Sequence, residues 1–299
     1  NLLRRELGSN DPMRLLPVLI ALQLNPVAEL TDQVLLLARS AEKRVALEAA
    51  RALLACGGSK VYLVILSLLK EAADPQRKAW LLPLAASTGR EEVWPVIVNY
   101  AASEDSGLAQ AALHAADTFP APVEARSEVY RSAMRSEDPA VACLAAQLAW
   151  HTGSMKALRL LERHIGSESR QHRAAAAAAL GHVSAETAVP ILAARFDSEK
   201  SGDVIRQMIL SLRRLLPQVR GNLRLHDVLL PWFSRLFKST DAFRRSQCAI
   251  LCGLIGRPAE DLVIHALERE HHPHVIASLL SALGNCGCNR LLVYSRFHE

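Results

Sequence analysis

The sequence predicts an all-α solenoid of about nine two-helix repeats forming a curved superhelix, and three observations predict it. Half of the 299 residues are apolar while only 5% are aromatic, and the strand-favouring types are never arranged in sustained alternation. A helix-start pattern recurs at near-constant spacing along the whole chain. Two columns of that repeat, three residues apart, are apolar in every unit, as the inner stripe of a stacked helix must be.

The clearest unit runs from Ser136 to Gly153. Glu137-Asp138 offers an N-cap, Pro139 suits a first helical turn, an alanine-rich apolar run follows, and Gly153 stops it. With Pro139 as the start, equivalent positions are Pro12, Lys43, Pro75, Gly107, Gln171, Asp203, Ala242 and Pro273. Successive spacings are 31 or 32 residues, except for one of 39. Six residues after the starts stand Val18, Ala49, Leu81, Leu113, Ala145, Ala177, Ile209, Cys248 and Leu279; nine after stand residues from Ala21 to Ala282, all apolar. Fourteen after each start comes Gly, Ala or Pro, as a turn requires. Second helices are expected at 61–69, 92–100, 123–134, 155–165, 187–196, 227–237 and 259–267. Several carry proline in or near their first turns.

These features resemble the HEAT-repeat family of HEAT-like and armadillo-type solenoids. The residues carrying the likeness are Asp11-Pro12, Asp74-Pro75 and Asp138-Pro139, together with Val45, Val141 and Val275. The basic residue usual after that valine is irregular here, present as Lys78, Arg206 and Arg245. The resemblance covers essentially residues 1–299 as one repeat domain. It implies that first helices line a concave binding strip and second helices a convex back. The chain starts with Asn1, which leaves open that it is excised from a longer, even membrane-anchored, protein. Leu2–Leu7 reads as the end of an incoming helix, and the apolar Leu291–Tyr294 as exposed surface where a last helix begins.

The period breaks in the unit that starts at Asp203, which is seven residues too long, and the excess aligns to a loop at 218–224. Insertions in solenoids map to one face and often carry function, although a longer surface loop costs little. Residues 200–257 hold eleven basic and three acidic side chains, so this stretch carries +8 in a chain whose formal total is +5. Arg206, Arg213, Arg214, Arg220, Arg224, Arg244 and Arg245 are therefore the candidate binding residues, a strip suited to phosphate or an acidic protein. No aromatic interleaving accompanies them, and a charge run is more often a solvated face.

Six cysteines suit core packing in a reducing compartment rather than a disulfide scaffold, and the expected location is cytoplasmic. His271-His272-Pro273-His274 and Cys286/Cys288 lack zinc-ligand spacing, so no metal and no other cofactor is expected. No apolar run of about eighteen residues suits membrane insertion.

Among enzymes of similar architecture, deoxyhypusine hydroxylases carry recurring His-Glu pairs. The one such pair here is His298-Glu299. Alkylpurine DNA glycosylases use a concave tryptophan and aspartate, and Trp80, Trp150, Asp117 and Asp203 match no motif of theirs; no residue match links the chain to phycobilin lyases either. No catalytic residue is assigned. Trp94 and Trp232 are expected to fill gaps between units, and His114 to be a partly buried, satisfied histidine. The expected function is a non-enzymatic protein-interaction scaffold or adaptor acting through its concave face. The alternative is a nucleic-acid-binding protein of the glycosylase type using the basic strip.

Overall fold

The computed structural model describes residues 2–56, 58, 61–219 and 221–287, and all regular structure among them is helical. The chain divides into two compact units, 1–152 and 153–299.

In the first unit the helices are α1 (Leu2–Leu7), α2 (Pro12–Leu24), α3 (Thr31–Ala38), α4 (Lys43–Cys56), α5 (Val61–Glu71), α6 (Pro75–Ser87), α7 (Trp94–Ala101), α8 (Ser106–Thr118), α9 (Val123–Ala133) and α10 (Pro139–His151). The even-numbered first helices pack in series, α2 on α4, α4 on α6, α6 on α8 and α8 on α10. Each second helix packs on the first helix that follows it, as α3 on α4 and α9 on α10. The second unit repeats the scheme with α11 (Met155–Ile165), α12 (Arg170–Leu180), α13 (Ala185–Phe196), α14 (Gly202–Leu215), α15 (Leu223–Leu236), α16 (Ala242–Ile255), α17 (Glu260–Leu267) and α18 (Pro273–Cys286). There α12, α14, α16 and α18 form the series of first helices.

Local chemistry explains the helix starts. Asp11, Asp74, Asp105, Asp138 and Asp241 each accept an amide N–H from the first turn of the helix they precede, a cap worth about 1 kcal/mol. Ahead of four of these caps, the hydroxyl of Ser9, Ser103, Ser136 or Ser239 accepts the amide N–H of the aspartate two residues on. This Ser-x-Asp device is a second recurring signal in the sequence. In the second unit two glutamates do related work: Glu199 accepts from the amides of Lys200 and Ser201, and Glu270 from those of His271 and His272. The turn glycines Gly89, Gly153, Gly256 and Gly287 adopt φ between +64° and +87°, a region in which a Cβ is strained.

The starts at 12, 43, 75, 139, 242 and 273 coincide with observed first residues of helices, while α8, α12 and α14 begin one residue earlier than the starts at 107, 171 and 203. Most of the two apolar columns are buried, with three corrections: Ala21 is exposed, and Val18 and Leu84 are half-buried. The first two lie on α2, the first of the series, which packs on α4 and on the short, six-residue α1. Leu84 follows Pro83, a proline inside α6.

The long seventh unit also differs from expectation. Its extra residues do not form an open loop. Leu216–Val219 continue α14 as a 3₁₀ turn with Leu216 and Val219 fully buried, and α15 starts at Leu223, a full turn before the expected 227. The buried His226 ring donates through Nε2 to the Val219 carbonyl at 3.0 Å, and Asn222 caps α15 while its amide donates to Glu186. The insertion is absorbed as packed helix because its apolar residues have α13 and α16 to pack against. Nearby, Trp232 is buried edge-on to Phe196 at 5.5 Å and donates its indole N–H to Asp197 at 3.1 Å, filling the gap between second helices.

Candidate interaction surface

Counting from each observed first residue, the outward positions of the first helices lie one, five, eight and twelve residues on, the spacing of one helix face. In the second unit this face bears Ala178 on α12, Leu210 on α14, Ile250 on α16 and Ser281 on α18 at the eighth position. Because α12, α14, α16 and α18 pack in series, these ridges lie side by side. Large apolar side chains are exposed on these helices: Leu210 is 51% exposed and Phe243 52%, both at outward positions, and Leu280, one residue before the eighth position of α18, 38%. Exposed apolar groups on successive ridges are unusual unless something covers them.

The candidate arginines divide into two groups. Arg206 and Arg213 are exposed on α14, one turn before and one turn after Leu210 and each one residue short of the outward positions 207 and 214, and neither forms an ion pair among the described residues. Arg214 is exposed as well and hydrogen-bonds the ring of His182. Arg224 is exposed on α15, a second helix. Arg220 lies outside the described residues.

Arg244 and Arg245 are instead built into the fold. Arg244, its side chain 19% exposed, donates to the Glu199 carbonyl at 2.6 Å and lies over the Phe196 ring at 5.7 Å. Arg245 makes a bidentate pair with Glu270 at 2.7 and 3.0 Å, and its remaining terminal nitrogen donates to the carbonyls of Ser239 and Thr240. Arg173 does the same one device earlier, gripping Glu199 at 2.7 and 3.1 Å and donating to the Ser167 and Glu168 carbonyls. These arginines tie a first helix to the loops on both sides of its unit. Fork-shaped guanidinium geometry makes such multiple bonding natural. The Arg245 guanidinium holds the Glu270 carboxyl at about 2. Burial opposes ionisation of Glu199, yet Arg173 and the backbone amides outweigh it and its pKa is lowered.

His114 stands exposed on the outward face of α8, where a partly buried position was expected. That position is its unit's eighth, outward column once the helix start moves back to Ser106. Cys56, Cys143, Cys248, Cys252 and Cys286 are buried; Cys288 and His298-Glu299 lie outside the described residues, as do Leu291–Tyr294. Among the described residues no group of three His, Cys, Asp or Glu could hold a metal ion. No described helix is long and apolar enough to cross a membrane.

A family model for HEAT repeats matches residues 127–213. No curated protein sequence matches the chain. Among solved structures, a chain from a structure of Kap95p binding to RanGDP, described in terms of nuclear import complex assembly, is similar over 95% of this chain. It shows a TM-score of 0.58 and 13% identity, and less than half of that chain, 44%, is covered. An engineered protein is similar at 17% identity over 95% of this chain and 88% of its own, with a TM-score of 0.44. Human deoxyhypusine hydroxylase in complex with glycerol is similar at 15% identity over 96% of both chains, with a TM-score of 0.36. At those two scores neither carries an argument, and at 13% identity the Kap95p–RanGDP likeness speaks for the fold alone. Residues 127–213 match HEAT repeats, and the helices on both sides of them continue the same two-helix period as an α-solenoid.

Proposed function

We propose that this chain is a non-enzymatic interaction scaffold that binds a protein partner across the first-helix face of its second unit. The observation that carries the reading is the row of exposed apolar side chains Leu210, Phe243 and Leu280 on successive first helices, with Arg206 and Arg213 beside Leu210. An apolar centre flanked by arginine is the composition of a protein interface, where such anchors supply most of the affinity. HEAT repeats fit a protein-interaction role in general, which agrees with this placement.

The test is cross-linking of the tagged chain to its partners in cells, mapped by residue. Cross-links on α14, α16 and α18 that disappear in a Leu210→Glu plus Phe243→Glu variant, and persist in a Leu223→Glu variant on α15, support the reading. Partners retained by the double variant overturn it.

A phosphate-backbone partner is the second reading, favoured by the exposed, ion-pair-free Arg206 and Arg213. The two separate on salt: a phosphate-driven complex weakens steeply as salt rises, whereas an apolar interface does not.

A further inference from the structure

A cleft of about 660 Å³ lies on the other side of the second unit, between the C-terminal part of α15, α17 and the loops that follow them. Its apolar wall is Phe237, Leu262, Ala266 and Pro273. Its polar lining includes Lys238, His265, Arg269, His271 and His272, all exposed. One carboxylate lines it, that of Glu270, and both of its oxygens are already taken by Arg245 and by the amides of His271 and His272. Neither Lys238 nor Arg269 forms an ion pair among the described residues. His265 donates its Nδ1–H to the Asp261 carbonyl, which leaves Nε2 for another partner.

The corresponding place in the sixth unit makes the contrast. There the Arg173–Glu199 pair lines a cleft of about 300 Å³, with Ile165 as its one large apolar side chain. The smaller cleft also carries two exposed cations, Arg195 and Lys200, so the Arg–Glu pair and a cationic rim are repeated features, whereas the larger apolar wall and the imidazoles of His265, His271 and His272 belong to the eighth unit.

We infer that this cleft binds a phosphate monoester carried on an apolar stem, namely a phosphorylated aromatic side chain of a partner peptide. A dianion matches a rim of unquenched cations, and the wall of Phe237, Leu262, Ala266 and Pro273 matches the stem. A peptide is the fitting source because the rim residues are exposed, so a side chain can enter from a segment lying outside; enclosed small-molecule sites instead bury most of their ligand.

The experiment is calorimetric titration of the full chain with the peptide Ala-Ala-phosphotyrosine-Ala-Ala, its unphosphorylated form and inorganic phosphate. The expected result is saturable binding of the phosphopeptide, with both other probes weaker by about tenfold or more. Lys238→Glu plus Arg269→Glu should remove binding, and the milder Lys238→Gln plus Arg269→Gln should weaken it about tenfold. Arg206→Glu plus Arg213→Glu on α14 should leave it intact. No saturable phosphopeptide binding, equal binding of the unphosphorylated peptide or of phosphate alone, or unchanged affinity in the Gln variant overturns the inference. So does an equal loss in the α14 variant.

Discussion

Arg245 and Glu270 meet in a two-pronged ion pair at 2.7 and 3.0 Å, and each partner also satisfies backbone groups, Arg245 the carbonyls of Ser239 and Thr240 and Glu270 the amides of His271 and His272. The pair therefore fastens the start of α16 to the loops before it and before α18. Removing one partner leaves several groups unpaired at once. Arg245→Ala or Glu270→Ala is expected to lower stability by about 2–4 kcal/mol. In a double-mutant cycle the two losses should add to clearly more than the loss in the double variant, read from denaturant unfolding.

The same pair sets an acid response. Glu270 titrates at about 2 in the folded chain against an ordinary value of 4.5. Its ionised form is thus favoured by folding: the stabilisation is full above the ordinary value and is lost as pH falls from there toward 2. Unfolding midpoints measured from about pH 6 down to about pH 2.5 should fall with acid, and Glu270→Gln should flatten part of that slope. An unchanged slope would show that other carboxylates govern it.

Close helix approach makes a second class of weak points. A Cβ on Gly253 of α16 would sit 3.0 Å from the backbone Cα of Ala282 on α18, whereas a Cβ on Gly284 of α18 would meet nothing within 4 Å. Gly253→Ala is expected to destabilise by about 1–3 kcal/mol because two backbones must separate. Gly284→Ala should be stabilising by about 0.5–1 kcal/mol through helix propensity. Thermal unfolding of the two variants, compared side by side, checks the sign of each.

Thiol reactivity reports the packing directly. Cys143 is pushed up to about 12 by burial, and Cys248, buried beside Cys252, is raised well above the ordinary thiol range. Native protein treated with iodoacetamide should leave the five described cysteines unmodified, and denaturant should expose them all, as read by site-resolved mass spectrometry. Rapid native modification of Cys248 would contradict its place in the core.

Caps give the smallest predicted effect and the most local one. Asp138→Ala removes the acceptor that holds the Ala140 amide at 2.7 Å. A loss of about 1 kcal/mol in chemical unfolding is expected, with Asp138→Asn recovering most of it.

The repeat was legible because its signals are local. An aspartate that caps, a proline that tolerates the first turn and a glycine that reaches positive φ each act within a few residues, so six of nine first helices start where the pattern puts them. The one-residue shift of α8, α12 and α14 was not legible: none of their starts, Ser106, Arg170 and Gly202, carries the proline that marks the first turn of α2, α6, α10 and α18, and the two other proline-free starts, Lys43 and Ala242, agree with the spacing alone. That shift moves His114, Ala178 and Leu210 onto the outward face.

By itself, therefore, the sequence determined the helical class, the starts of the nine described first helices to within a residue, and the polarised charge of 200–257. Which arginines remain available was decided only by the tertiary structure. Arg244 and Arg245 adjoin in sequence the same kind of charge run as Arg213 and Arg214, yet the first pair turns inward to loop carbonyls and Glu270 while the second stays outside. The Glu199 carbonyl that Arg244 reaches and the Glu270 carboxylate that Arg245 grips lie 45 and 25 positions away, and no local pattern encodes contacts at that separation. For the same reason the seven extra residues read as a loop, although Leu216 and Val219 had buried partners waiting on α13 and α16.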